Sequence, residues 1–196
     1  MLHIVYGGSA SGKSSYAESF AMSLQGEGRL LYIATMYPYK WNTTEIDPET
    51  MQRIERHRAM RADKGFDTVE CYRHVEHIVA KRQDVLLLEC MSNHGGLAET
   101  MSEVEKAGVG MSETLSPVSK KIVQALVNLS TRVQDVVIVT NDVFSDGGSL
   151  TYDESTREYV KNLAEINCAL AREAATVTEV VCGIPVIVKK NHPMGK

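Results

Sequence analysis

Near the start of the chain, Gly7-Gly8-Ser9-Ala10-Ser11-Gly12-Lys13-Ser14 satisfies G-x-x-x-x-G-K-[ST], directly after an apolar run and at the start of a helix-forming one. Average residue usage produces such a match in roughly one chain in a hundred of this length, and the strand-before, helix-after context cuts that further. The glycines allow a tight loop whose backbone N–H groups face inward, and the helix beginning at Lys13 adds positive potential there. Anionic phosphates fit such a loop. Lys13 is expected to reach the β- and γ-phosphate oxygens, and the Ser14 hydroxyl to ligate the Mg²⁺ that bridges them.

A phosphate loop of this kind belongs to a strand–helix unit, and the rest of the chain supplies more of them. Leu2 to Tyr6, Leu30 to Ala34, Val85 to Leu88 and Val136 to Thr140 are short, β-branched apolar runs that read as buried parallel strands. Helical patterns lie between and after them: Ser14 to Leu24, Pro48 to Ala62 behind a capping Asp47, Pro117 to Thr131, and Asp153 to Ala174. Glu179 to Cys182 and Pro185 to Lys189 flank a turn at Gly183 and read as a terminal hairpin or antiparallel edge strand. The expected fold is α/β, a P-loop NTPase-like three-layer sandwich with a mostly parallel sheet, formed by residues 1–196 as one domain. Met36 to Asp47, with Tyr37, Tyr39 and Trp41, and the Gly/Ser/Glu-rich Ser92 to Ser116 read as surface loops.

Composition narrows the partners. Lys and Arg number 21 against 25 Asp and Glu, a net charge of −4, which offers no basic field for a nucleic-acid backbone. No stretch reaches the roughly 18 apolar residues of a membrane span, and the start lacks a basic and apolar leader, so a cytoplasmic protein acting on small molecules is expected. Cys71, Cys90, Cys168 and Cys182 form no C-x-x-C pair and read as free thiols, three of them in or beside apolar runs where burial is expected.

Two further features bear on chemistry. Leu86-Leu87-Leu88-Glu89 places a carboxylate at the C-terminal end of a strand, where a Walker B acid supports the metal, although an acid after an apolar run is also common. In the helix after Asp47, Arg53, His57 and Arg61 are spaced four apart and share a face, with Arg56 and Arg58 alongside. Most such stripes are solvated, and Glu49 and Glu55 compensate part of the charge; an anion facing the stripe is the alternative.

The order and spacing of these elements resemble one family, the bifunctional adenosylcobinamide kinase/adenosylcobinamide-phosphate guanylyltransferases of cobalamin biosynthesis. The resemblance runs through Gly7 to Ser14, Tyr32-Ile33-Ala34-Thr35, Arg53-Ile54 with His57 and Arg58, Thr68-Val69-Glu70-Cys71, Leu87-Leu88-Glu89-Cys90, Val139-Thr140-Asn141, Arg157, Asn167 and Cys182-Gly183-Ile184-Pro185. It implies phosphorylation of the aminopropanol hydroxyl of adenosylcobinamide by ATP or GTP. Transfer of GMP from GTP to that phosphate through a guanylylated His57 would follow, giving adenosylcobinamide-GDP. It also implies nucleotide contacts at Ala34, Thr35, Met36, Arg58, Ala59, Met60, Arg61, Glu70 and Glu89, and a homotrimer.

The chain departs from the family pattern in several places. Thr35 to Pro48 is longer, Ala62 stands where many members carry proline, Asp142 to Gly148 replaces a glycine-rich stretch, and Ser92 to Ser116 replaces part of a middle helix. Two other readings remain open from the residues alone: a P-loop kinase of another small molecule, in which His57 is a surface residue, and a nucleotide-binding switch. Against the switch, Thr140-Asn141-Asp142 lacks the lysine and spacing of the N-K-x-D base-reading motif. A nucleic-acid motor is disfavoured by the net charge.

Overall fold

The computed structural model describes residues 1–40, 43–91, 115–142 and 152–191. Trp41, residues 92–114 of the middle loop and residues 143–148 of the Asp142 to Gly148 segment lie outside them. The strands are β1 (Leu2–Gly7), β2 (Leu30–Ala34), β3 (Phe66–Glu70), β4 (Val85–Glu89), β5 (Asp135–Asn141), β6 (Thr176–Val181) and β7 (Ile184–Lys190). The helices are α1 (Lys13–Leu24), α2 (Pro48–Arg61), α3 (Pro117–Arg132) and α4 (Glu154–Glu173), with a 3-10 turn at Val75–His77.

Helix starts follow local chemistry. Asp47, Ser116 and Asp153 each accept a hydrogen bond from the backbone N–H three residues on, satisfying a donor that the first turn leaves free. Pro48 and Pro117 sit at the first helical position, where no N–H is needed. In α1, Gly12, at φ 89°, turns the loop into the helix, and no side chain caps the first N–H groups.

All strands join one sheet in the order β3-β2-β4-β5-β1-β6-β7, parallel except for β7, which runs antiparallel to β6. Strands covered on both faces read as near-continuous apolar runs, and β1, β2, β4 and β5 are buried along almost their whole length. Side chains alternate between two cores. On one face α1 packs Ala17, Ala21 and Phe20 against Val5, Tyr32, Leu87 and Val139; on the other, α3 and α4 pack Leu126, Leu129, Leu163 and Ile166 against Ile4, Ile33, Leu88 and Ile138. The expected three-layer α/β architecture with an antiparallel edge strand is the one observed. Among the described residues no helix is long and apolar enough to cross a membrane.

Two expectations change. β3 escapes the pattern reading because it is a half-exposed edge strand whose apolar residues are only Phe66 and Val69. The cysteines form no disulfide, as expected, but none is buried: Cys168 and Cys182 are exposed, and Cys71 and Cys90 half-buried. Cys168 lies beside the buried Ile166 and Leu170 in sequence but on the outer face of α4, while Cys182 occupies the β6–β7 turn with φ 50°. Sequence adjacency to an apolar run does not give a residue the same face.

Candidate active site

Parallel strands deliver their C-terminal ends to one edge, where open α/β sheets bind ligands. The register aligns Glu70, Ala34 and Glu89 across β3, β2 and β4, and Gly7 with Asn141 across β1 and β5. α2 stands over this edge on the α1 side, contributing only Arg61 to the interior. Between α2, the strand ends and the P-loop lies a cavity of about 660 Å³.

Most of the residues anticipated for the site line that cavity: Ser9 to Ser14, Ala34, Met36, His57, Arg58, Met60, Arg61, Glu70 and Glu89. Arg53 and Arg56 join them, so the basic stripe of α2 faces the P-loop across the same space. Gly7, Gly8, Thr35 and Ala59 do not line it. Thr35 ties the ends of β2 and β4 together, its hydroxyl lying 3.1 Å from the Glu89 and Cys90 carbonyl oxygens and accepting from Cys90 N–H. Ala59 lies on the exposed side of α2.

The P-loop is braced from within and from below. Lys13 donates to the Gly8 carbonyl at 3.1 Å, and Ser11 N–H to the same oxygen at 3.3 Å. The β6–β7 turn supports the loop: Gly183 N–H donates to the Ser11 carbonyl at 2.8 Å, and a Cβ on Gly12 would lie 3.2 Å from Gly183 Cα. Sequence reading missed this brace because Gly183 and Ser11 meet only when β6 is laid beside β1. The Ser11 hydroxyl is buried with no partner.

At the floor of the cavity three side chains form a chain of contacts. Arg61, only 6% exposed, lays its guanidinium 3.3 Å from the centre of the Tyr32 ring. The Tyr32 hydroxyl donates to Glu89 Oε2 at 3.0 Å, and Glu89 Oε1 lies 3.7 Å from His57 Nδ1. Burial by itself would raise the Glu89 pKa, but His57, the Ser14 hydroxyl and the Tyr32 hydroxyl together hold it below the usual carboxylate value. Burial, followed by the Glu89 charge, pushes the Tyr32 phenol far up, so it is a neutral donor. Arg61 Nε and Nη1 have no hydrogen-bond partner. A buried cation is costly unless paired, and these two donors are suited to an anion entering from the cavity. Nothing local in the sequence marks Tyr32; its place emerges from β2 and β4 lying side by side.

The outer wall is aromatic. Tyr37 packs edge-on against Tyr39 at 5.3 Å and Tyr72 at 5.4 Å, and Pro38, Tyr39, Ile46 and Tyr72 line the cavity. Arg58 and Tyr72 both donate to Glu70, at 2.8 and 2.9 Å. Burial, then the Glu70 carboxylate, raises the Tyr72 hydroxyl to about 12.

The chain is similar to known proteins over most of its length. The profile of the family described as cobinamide kinase / cobinamide phosphate guanyltransferase matches residues 3–188. The bifunctional adenosylcobalamin biosynthesis protein CobU of Escherichia coli (strain K12) is 28% identical over 201 residues, covering 96% of this chain and 100% of that protein. The protein of the same name from Salmonella typhimurium is 28% identical over 199 residues, with the same coverage. Among solved structures, the flagellar accessory protein FlaH from Methanocaldococcus jannaschii covers 97% of this chain and 78% of its own at 13% identity. Its TM-score of 0.48 is too distant to add to the assignment. With the family profile spanning both the P-loop and the His57 helix that share the cavity, the chain belongs to the cobinamide kinase / cobinamide phosphate guanyltransferase family.

Proposed function

We propose that this enzyme performs both phosphate transfers in the one cavity, with His57 carrying GMP from GTP to the phosphorylated corrinoid. The observation that carries the reading is that the P-loop and His57 line the same space of about 660 Å³. In the first transfer the aminopropanol hydroxyl oxygen of adenosylcobinamide bonds the γ-phosphorus of a nucleoside triphosphate on the loop, and the bond to the β–γ bridging oxygen breaks. The nucleoside diphosphate leaves with that electron pair, and the hydroxyl proton passes to water. In the second, a neutral imidazole nitrogen of His57 attacks the α-phosphorus of GTP and the bond to the bridging oxygen breaks. Pyrophosphate leaves with that electron pair. An oxygen of adenosylcobinamide phosphate then attacks the same phosphorus, the P–N bond returns its pair to the ring, and adenosylcobinamide-GDP is released.

Lys13 and the loop N–H groups hold the triphosphate, and Arg58 and Arg61 receive charge that builds on the phosphoryl oxygens. Unpaired Arg61 donors and the unpaired Ser11 hydroxyl support anion binding here. The Ser14 hydroxyl faces the Glu89 carboxylate, two hard oxygen donors side by side. Such a pair fits Mg²⁺, which takes few protein ligands and fills its shell with water and phosphate oxygens. When bound, the ion neutralises charge on the leaving pyrophosphate. A kinase of an unrelated substrate or a switch protein does not fit the family assignment.

Self-association is the remaining part of the reading. Ile184, Val186, Ile187 and Val188 of the edge strand β7 are exposed, an apolar strip that a second copy of the chain would cover.

Labelling with α-³²P-GTP tests the histidine role. Acid-labile label is expected on the wild type, none on His57→Ala or Lys13→Ala, and His57→Ala should still phosphorylate adenosylcobinamide. An unlabelled wild type, or a labelled His57→Ala, would refute the assignment.

A further inference from the structure

A histidine nucleophile has two ring nitrogens, and the identity of the attacking one depends on what holds the other. Here Nδ1 faces a carboxylate: Glu89, 5% exposed, sits with Oε1 3.7 Å from that nitrogen. Its second oxygen accepts from the Tyr32 hydroxyl at 3.0 Å, and Tyr32 is itself only 4% exposed, its ring covered by the Arg61 guanidinium. β2 and β4 are neighbours in register, so Tyr32 approaches Glu89 from within the sheet while His57 approaches from α2.

We propose that Glu89 and Tyr32 are positioning residues for guanylylation: Glu89 holds the Nδ1–H of His57, Tyr32 holds Glu89, and Nε2 is the atom that carries GMP. The inference rests on the reading of His57 as the GMP carrier. A carboxylate facing Nδ1 favours the tautomer with the proton on Nδ1 and the lone pair on Nε2, as in other carboxylate–histidine pairs. At 3.7 Å the two groups are in ion-pair contact but beyond hydrogen-bond length, and such contacts commonly tighten into hydrogen bonds once substrate is bound.

Electrons and protons balance simply. The Nε2 pair forms the bond to the α-phosphorus, pyrophosphate leaves with the pair of the broken P–O bond, and the Nδ1 proton stays. The guanylylated ring then carries positive charge, which the Glu89 carboxylate compensates. When the acceptor phosphate attacks, the P–N pair returns to Nε2. A tyrosine suits the third place because a neutral hydroxyl fixes the carboxylate without cancelling its charge.

Two measurements test this. Heteronuclear NMR of ¹⁵N-histidine protein, guanylylated by GTP, reads the nitrogen bonded to phosphorus. Nε2 is expected, and phosphorus on Nδ1 overturns the proposal. Tyr32→Phe keeps the ring under Arg61 and removes only the hydroxyl. Its single-turnover guanylylation rate should fall about tenfold, the effect of one hydrogen bond lost from the transition state. Half-saturation by GTP should stay within about twofold, and phosphorylation of adenosylcobinamide, which meets Glu89 only through the metal site, should fall clearly less than guanylylation. An unchanged guanylylation rate, or an equal loss in all three quantities, shows that the hydroxyl positions nothing and overturns the Tyr32 role. A wild type that takes no label sinks the GMP-carrier reading itself, an outcome distinct from label on the wrong nitrogen.

Discussion

Arg61 is a buried cation whose donors are only partly satisfied, and replacing it by methionine measures what that costs the fold. The side chain is 6% exposed, its guanidinium rests 3.3 Å over the Tyr32 ring, and Nε and Nη1 lack partners. Each orphaned donor costs about 1–3 kcal/mol, while a desolvated cation–π contact returns about 2 kcal/mol. Methionine keeps an unbranched stem against the ring and removes the charge. The middle of those ranges leaves about 2 kcal/mol in favour of the variant, a melting temperature higher by roughly 4–8 °C for a chain of this size. Calorimetry of the ligand-free proteins reads this directly. The same substitution should slow His57 guanylylation by about a hundredfold, and GTP should raise the melting temperature of the wild type more than that of the variant. An Arg61→Met protein melting more than about 4 °C below wild type, or equal stabilisation of both by GTP, would refute the reasoning.

Other outcomes follow from the same geometry. Gly28→Ala places a Cβ 1.8 Å from the Gln83 carbonyl oxygen, a backbone atom that cannot swing aside, so a stability loss of at least about 2 kcal/mol is expected in urea unfolding. At acid pH the buried Asp84 becomes a liability. Burial opposes its ionisation, but Arg29 and the Lys81 and Arg29 N–H groups hold its pKa down at about 2. A depressed folded-state value gives stability that is complete above the unfolded carboxylate pKa and is lost as pH falls through the folded one. About 2 kcal/mol should therefore disappear between about pH 4 and pH 2, and Asp84→Asn should flatten that part of the urea-midpoint profile. On β7, Ile187→Lys is expected to shift the sedimenting species toward the 21.7 kDa chain without changing the far-UV spectrum. A wild type that already sediments as that single chain would remove the basis for self-association.

Much of the layered fold is legible in the chain because its signals are local. The P-loop is a backbone shape written in glycines and a lysine, and Asp47-Pro48 starts α2 by satisfying the donors of its own first turn. Buried strands announce themselves as apolar runs because helices cover both faces. β3 is silent for the converse reason: a half-exposed edge strand needs only two apolar residues. Cys168 shows the limit of adjacency, since one position along a helix turns a side chain by roughly 100° and carries it out of the core.

The site divides in the same way. Sequence alone determined that Gly7 to Ser14 forms a phosphate-loop motif between a strand and a helix, that a helix carries His57 among arginines, and that a carboxylate ends the Leu86-Leu87-Leu88 run, because each depends on neighbours within one or two turns. Only the tertiary structure decided that these belong to one cavity, that Tyr32 joins Arg61 to Glu89, and that Gly183 braces the P-loop from 172 positions away along the chain. Those contacts depend on strand order, β2 beside β4 and β1 beside β6, and strand order is set by how helices cover the whole sheet rather than by any one segment. The proposed pairing of Glu89 with His57 depends on that order, because a carboxylate can orient an imidazole only when the fold brings them within contact distance.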